Sequence, residues 1–303
     1  MGDVEEIALP TGAGPLSIAL GPDLALWYTQ AGSGKIGRAT RAGAVSEFVL
    51  PTTGVGLQQI AAGFDGNLWF TELAANKIGR ITRQGVVTEF PLPNRGASPI
   101  GIAAGLDGNV WFTELIGNRI GRITPSGEIT EFPLPTAAAQ PRGIAQGFDG
   151  NLWFVEQSAN KVGSISFEGV IREFPLPTEQ SFPSAIVAGL DGNLWFTQQD
   201  ANQIGRITPA GVVTEFPLPT AESEPSAIAL GPDGNLWFTQ LGGNRLGRIT
   251  HDGTITEFTL PTPDSRPSGL VIAPPGNWCL DGHVWFTERG NHKLGKIRTI
   301  AVP

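Results

Sequence analysis

Cysteine is nearly absent: Cys279 stands alone, so no internal disulfide can brace the chain, and the compartment stays open with a lean to the cytoplasm. No stretch of about 18 apolar residues occurs, which excludes a transmembrane helix. The opening Met1-Gly2-Asp3-Val4-Glu5-Glu6 is neither basic nor apolar, so no secretion leader is expected. Lysine and arginine never cluster, and 28 acidic against 20 basic residues leave a net charge of −8, so nucleic acid is excluded as an expected partner. Histidine is scarce too, with three in 303 residues.

Present in abundance are 41 Gly and 25 Pro beside 40% hydrophobic residues, a composition of many short strands joined by tight turns. Eight Trp and 16 Phe supply the surface for a sizeable core. A Trp-aromatic-Thr/Val unit recurs at Trp27, Trp69, Trp111, Trp153, Trp195, Trp237 and Trp285, with five spacings of 42 residues and one of 48. The longer spacing comes from an insertion around Pro275-Gly276-Asn277-Trp278-Cys279-Leu280. A period of this length signals a repeat architecture.

Each repeat reads as four strands. In the third, Pro99–Ala104 and Val110–Glu114 flank an Asp-Gly turn, and Asn118–Ile123 leads through Pro125-Ser126-Gly127 to Glu128–Phe132. Pro133-Leu134-Pro135 then ends the sheet, because proline donates no ladder hydrogen bond. The fold class expected is all-β, a seven-bladed β-propeller with four antiparallel strands per blade. Residues 1–303 form one domain, with blades at about 14–51, 56–93, 98–135, 140–177, 182–219, 224–261 and 266–303 plus 4–10. The last repeat stops after its third strand, while Glu5-Glu6-Ile7-Ala8-Leu9-Pro10 resembles a fourth strand, so the N-terminal strand is expected to close the last blade.

Seven copies in one chain separate what every blade needs from what differs. Positions shared by most copies serve folding, whereas variable ones can carry function. The variable loops join each fourth strand to the next blade and the second strand to the third, and both lie at one face. Two rings of side chains belong there. The inner ring begins each innermost strand: Leu16, Gln58, Ile100, Arg142, Ser184, Ser226 and Ser268, with Glu224 and Arg266 just before it. These form the candidate ligand-binding set. Arg142 is read either as a salt bridge to Glu156 or Glu114 or as an anchor for a ligand carboxylate or carbonyl. No base is visible beside the three serines, so nucleophilic serine chemistry is not expected.

The second ring ends each second strand: Gln30, Glu72, Glu114, Glu156, Gln198, Gln240 and Glu288. Its bland reading is that these side chains satisfy backbone donors or pair with Lys and Arg at the blade tops. The alternative is that Glu288, Glu72, Glu114 and Glu156 hold a divalent ion, Mg2+ or Ca2+, since hard cations take several oxygen ligands. His251 and His283 fall in turns at the opposite face, and Cys279 reads as packing. His292 replaces the Asn of other repeats; with Glu288 it is the weak candidate for catalysis.

The phrases Asp-Gly-Asn-Leu-Trp-Phe-Thr-Glu, Asn-Lys-Ile-Gly-Arg-Ile-Thr and Glu-Phe-Pro-Leu-Pro resemble the virginiamycin B lyase (streptogramin lyase) family over nearly the whole chain. That resemblance implies a seven-bladed propeller that opens the ester of a cyclic depsipeptide by elimination, using Mg2+ and a His base. It also implies a Tyr where this chain has Leu16, and Pro-His pairs where it has Pro225-Ser226 and Pro267-Ser268. Arg266 replaces an expected Glu, and Glu288 alone keeps the expected type. The function expected is therefore a lyase-like propeller, a monomer, that binds a small molecule or peptide over the channel without the family's histidine machinery. The alternatives are a metal-dependent lyase or lactone hydrolase with relocated residues, or a largely structural scaffold.

Overall fold

The computed structural model describes residues 4–40, 43–272 and 282–299; Cys279 and the rest of the inserted segment lie outside them. Every sheet has four antiparallel strands, and there are seven sheets. Six run in simple sequence order, from an innermost first strand to an outermost fourth. The innermost strands are Pro15–Leu20, Leu57–Ala62, Pro99–Ala104, Pro141–Gln146, Pro183–Ala188, Pro225–Leu230 and Pro267–Ile272. Each lies against its counterparts in the two neighbouring blades, so together they close a ring around a central channel.

The seventh sheet is closed from the other end of the chain, as the sequence implied. Val4–Ala8 pairs with Lys293–Arg298 in the register Val4↔Ile297 to Ala8↔Lys293. Lys293 pairs with Glu6, whose carboxylate also accepts a hydrogen bond from Thr262 on the loop entering blade 7. The same clamp recurs elsewhere: Glu89 accepts from Thr52 and Lys77, and Glu173 from Thr136 and Lys161. In six of the seven blades the fourth-strand Glu thus ties its strand to the loop that enters the blade. In blade 1 Pro10 stands at the loop position, and among the described residues Glu47 is bound by Gln30 and Lys35 alone.

The tryptophans explain the repeat length. Trp27, Trp69, Trp111, Trp153 and Trp195 are essentially fully buried between sheets. Indole Nε1 of Trp111 donates to Asp107 of its own Asp-Gly-Asn turn, at 3.2 Å to Oδ1. Gly108 in that turn has φ +80°, a conformation that favours glycine. The opposite side of the ring stacks on a fourth-strand Phe, Trp111 on Phe132 at 5.5 Å. One aromatic therefore fastens a turn and an outer strand at once, and no helix is needed to cover the sheets. Among the described residues no helix is long and apolar enough to cross a membrane.

Candidate functional site

The inner ring is shaped by a bulge that every innermost strand contains. In blade 3, Pro99 pairs with Glu114 and Ile102 with Phe112, so Ile100 and Gly101 face the single residue Thr113. An extra residue in one strand bends it and turns a side chain out of the regular alternation. Here it turns Ile100 toward the channel. Thr113 fills the gap in the ladder: its hydroxyl accepts from the Gly101 amide at 2.8 Å and donates to the Arg142 carbonyl of the next blade at 2.6 Å. A Cβ on Gly101 would lie 2.1 Å from that carbonyl oxygen, so in blade 3 a side chain here would force the neighbouring strand to shift.

Thr29, Thr71, Thr197, Thr239 and Thr287 repeat the device toward the carbonyls of Gln58, Ile100, Ser226, Ser268 and Leu16. The last of these bonds crosses the seam between blades 7 and 1. Sequence reasoning took these threonines as part of a structural motif and missed that they set the inner ring. The signal was their fixed place one residue before the second ring. Blade 4 departs from the pattern: Val155 occupies the threonine's place, and the Ser184 carbonyl goes without that clamp.

All seven inner-ring residues come together around one cavity of about 240 Å³. Leu16 and Ile100 present apolar surface on either side of Gln58, while Arg142, Ser184, Ser226 and Ser268 form a polar arc over four consecutive blades. Arg142 is the sole ionisable side chain lining the cavity. Burial works against its charge and lowers its pKa from the ordinary value. The salt bridge to Glu156 or Glu114 offered by the sequence is not formed, because both carboxyls are fully buried away from the channel. Among the described residues the guanidinium has neither ion pair nor hydrogen bond, which leaves its five N–H donors without a protein partner.

Glu224 and Arg266 are placed differently. Both are exposed on the entering loops, with φ of +49° and +48° immediately before Pro225 and Pro267, and neither lines the cavity. They stand at the rim rather than in the channel.

The second ring has a different character. Gln30, Glu72, Glu114, Glu156, Gln198, Gln240 and Glu288 are all 0% exposed. The expected pairing with nearby bases is not what forms: Lys77, Arg119, Lys161 and Lys293 bridge instead to Glu89, Glu131, Glu173 and Glu6. In the glutamine blades the amide donates to the fourth-strand carboxylate, Gln30 to Glu47 at 3.0 Å, Gln198 to Glu215 at 2.8 Å and Gln240 to Glu257 at 2.8 Å. In the glutamate blades both carboxyl oxygens of Glu72, Glu156 and Glu288 have no partner.

Burial, reinforced by the neighbouring fourth-strand carboxylates, pushes Glu72 and Glu288 up to about 7 and Glu156 to about 8, and raises Glu114 in the same way. A protonated carboxyl offers the O–H that matches the glutamine's N–H. Glu72, Glu114, Glu156 and Glu288 lie in four separate sheets. Among the described residues no three His, Cys, Asp or Glu side chains gather as a metal site.

The histidines are in structural positions. His292 Nδ1 accepts from the Gly14 amide at 3.0 Å, the bond that Asn76 Oδ1 makes to Ala97 and Asn118 Oδ1 to Ala139 in other blades. His251 packs at 6.3 Å against Trp195, and His283 begins the strand His283–Glu288.

Comparison with known proteins gives a consistent set. The profile of the Virginiamycin B lyase family matches residues 1–165 and 131–301. A selenomethionine-substituted virginiamycin B lyase from Staphylococcus aureus is 38% identical with a TM-score of 0.94, covering 99% of this chain and 100% of its own. A streptogramin B lyase structure is 39% identical with a TM-score of 0.92, covering 98% and 97%. A catalytically inactive His-to-Ala variant of the S. aureus enzyme with quinupristin is 38% identical with a TM-score of 0.93, covering 99% and 100%. A search of curated proteins found no match.

Proposed function

Because the chain belongs to the virginiamycin B lyase family, we propose that it is a streptogramin-lyase-like propeller that binds an anionic small molecule or peptide over the central channel, without the family's histidine-dependent elimination. One observation carries this reading: the channel cavity holds a single fixed charge, the guanidinium of Arg142, and no protein group answers it. A carboxylate would take two parallel N–H donors from it, the strongest geometry available to that pair. The serine arc beside it offers further hydroxyls, and Leu16 and Ile100 offer apolar contact to the rest of the ligand.

A relative crystallised with quinupristin is catalytically inactive with one histidine replaced by alanine, whereas no histidine lines this channel. General base catalysis contributes about 10²–10⁴-fold, so its loss would remove most of the rate. The family's Mg2+ does not fit the side chains present. Glu288 faces another carboxylate, Glu6, and the ammonium of Lys293. Glu6 is already engaged by Thr262 and the Lys293 ammonium, which leaves Glu288 as one buried carboxyl, fewer oxygen ligands than a hard cation takes.

Calorimetric titration with benzoate and with neutral benzamide tests the reading. We expect benzoate to bind, benzamide to bind more weakly, and Arg142→Gln to abolish the difference. Equal binding of both, or no binding of small carboxylates or peptides with free C-termini, would contradict it. Quinupristin should stay uncleaved by the protein in the presence of Mg2+.

A further inference from the structure

Blade 4 departs from the others at its opposite end as well. In blades 2, 3 and 5 a third-strand arginine lies against the buried Trp: Arg80, Arg122 and Arg206 each sit 5.4 Å from the centroids of Trp69, Trp111 and Trp195. Each also donates Nη1 to a backbone carbonyl 45 residues further on, Arg80 to Pro125 at 2.7 Å, Arg122 to Phe167 at 3.0 Å and Arg206 to His251 at 3.0 Å. The planar cation thus has a π face beneath it and a carbonyl at its edge, an arrangement that suits guanidinium better than ammonium.

The corresponding residue in blade 4 is Ser164, and what remains is a cavity of about 290 Å³. Its walls include Trp153, Asp149, Ser164, Ser166, Arg172 and Pro209. Pro209 stands 45 residues after Ser164, the acceptor's place, and among the described residues its carbonyl accepts no hydrogen bond. Asp149 brings a carboxylate already aimed at the indole, with Trp153 Nε1 donating to it at 3.1 Å. The receptor is therefore retained where its own arginine has been removed.

From this we infer that blade 4 carries a second binding site, independent of the channel, that accepts a guanidinium group from outside the chain between Trp153, Asp149 and Pro209. Free arginine-like cations and an arginine side chain on a peptide present the same chemistry. Arg172, across the strand pair from Ser164, is exposed and makes no ring contact with Trp153 among the described residues, so it is a competing cation at the rim rather than the occupant.

The test is calorimetry with methylguanidinium and N-acetylarginine amide, using methylammonium and N-acetyllysine amide as controls. The guanidinium probes should bind, and the ammonium probes, which cannot lie over the Trp153 ring and donate to the Pro209 carbonyl at once, should bind at least about tenfold more weakly, the ratio set by losing one charge-assisted hydrogen bond. Ser164→Arg should fill the hollow, abolish binding and melt no lower than the parent. Ser164→Leu, which fills it without charge, gives the same readout if the arginine variant does not fold. Arg172→Thr, matching the threonines of other blades, should tighten binding, and Arg142→Gln should leave it unchanged. Binding of methylguanidinium as tight as that of the amide assigns the site to free cations, and binding of the amide alone assigns it to peptides. No binding to either the parent or Arg172→Thr, or undiminished binding in both filled variants, would overturn the inference.

Discussion

The two rings at one face of the propeller treat charge in opposite ways. The inner ring leaves one guanidinium, Arg142, facing an open cavity with no partner. The second ring buries four carboxyls completely, and burial raises their pKa values toward the uncharged form. In three blades glutamine stands at this position and donates to the fourth-strand carboxylate, a bond for which a glutamate must first carry a proton. The contrast teaches that four acidic residues around a channel need not be a cation site. Burial decides, and it is the unpaired accessible charge that is available to a ligand.

The largest effect that would break this contrast comes from replacing Glu72, Glu114, Glu156 and Glu288 together with glutamine. Each carboxyl titrates higher in the folded chain than in the unfolded one, so the folded chain holds an extra proton from about pH 4.5 upward. Stability is full below that, declines as pH rises to about 7 or, for Glu156, about 8, and levels off above. At about 1.4 kcal/mol per unit for each proton, the fourfold variant should gain several kcal/mol over the parent at pH 8 and little at pH 4. Denaturant unfolding at both pH values measures this, and equal gains at both would refute protonation.

The reverse substitution sharpens it on a smaller scale. Gln198→Glu should cost roughly 2–3 kcal/mol at pH 8, by placing a second carboxyl against Glu215, and much less at pH 4. Smaller again is Val155→Thr, which restores the missing clamp to the Ser184 carbonyl. It should stabilise by about 1 kcal/mol in a thermal melt, and a loss would show that blade 4 has adapted to valine. Smallest is Arg142→Gln. With no partner to leave behind, it should change unfolding free energy by less than about 0.5 kcal/mol while altering ligand binding, so a large destabilisation would assign Arg142 to the scaffold.

Repetition made the fold legible. Blade count, the Asp-Gly-Asn turns and the Glu5–Leu9 closure all follow from self-similarity, and the inner ring was found as the uneven position in a regular series. The environment of each ring was not legible. Nothing in the spacing of Glu72 or Glu156 indicates that Lys77 and Lys161 are engaged by Glu89 and Glu173, because that pairing runs across strands of a twisted sheet. The bulges at Ile100 and its counterparts were equally hidden, since one inserted residue per strand leaves no mark when every copy has it. Ser164 and Val155 were visible as exceptions, but only the geometry of the other blades gives them meaning.

The central claim is that Arg142 is the anchor of a ligand site at the channel mouth. A crystal soaked with benzoate tests it most directly. Difference density should show the carboxylate against the Arg142 guanidinium, with the ring toward Leu16 or Ile100, and should vanish in Arg142→Gln. Density confined to the outer surface, or a carboxylate retained in the channel of the Gln variant, would contradict the account.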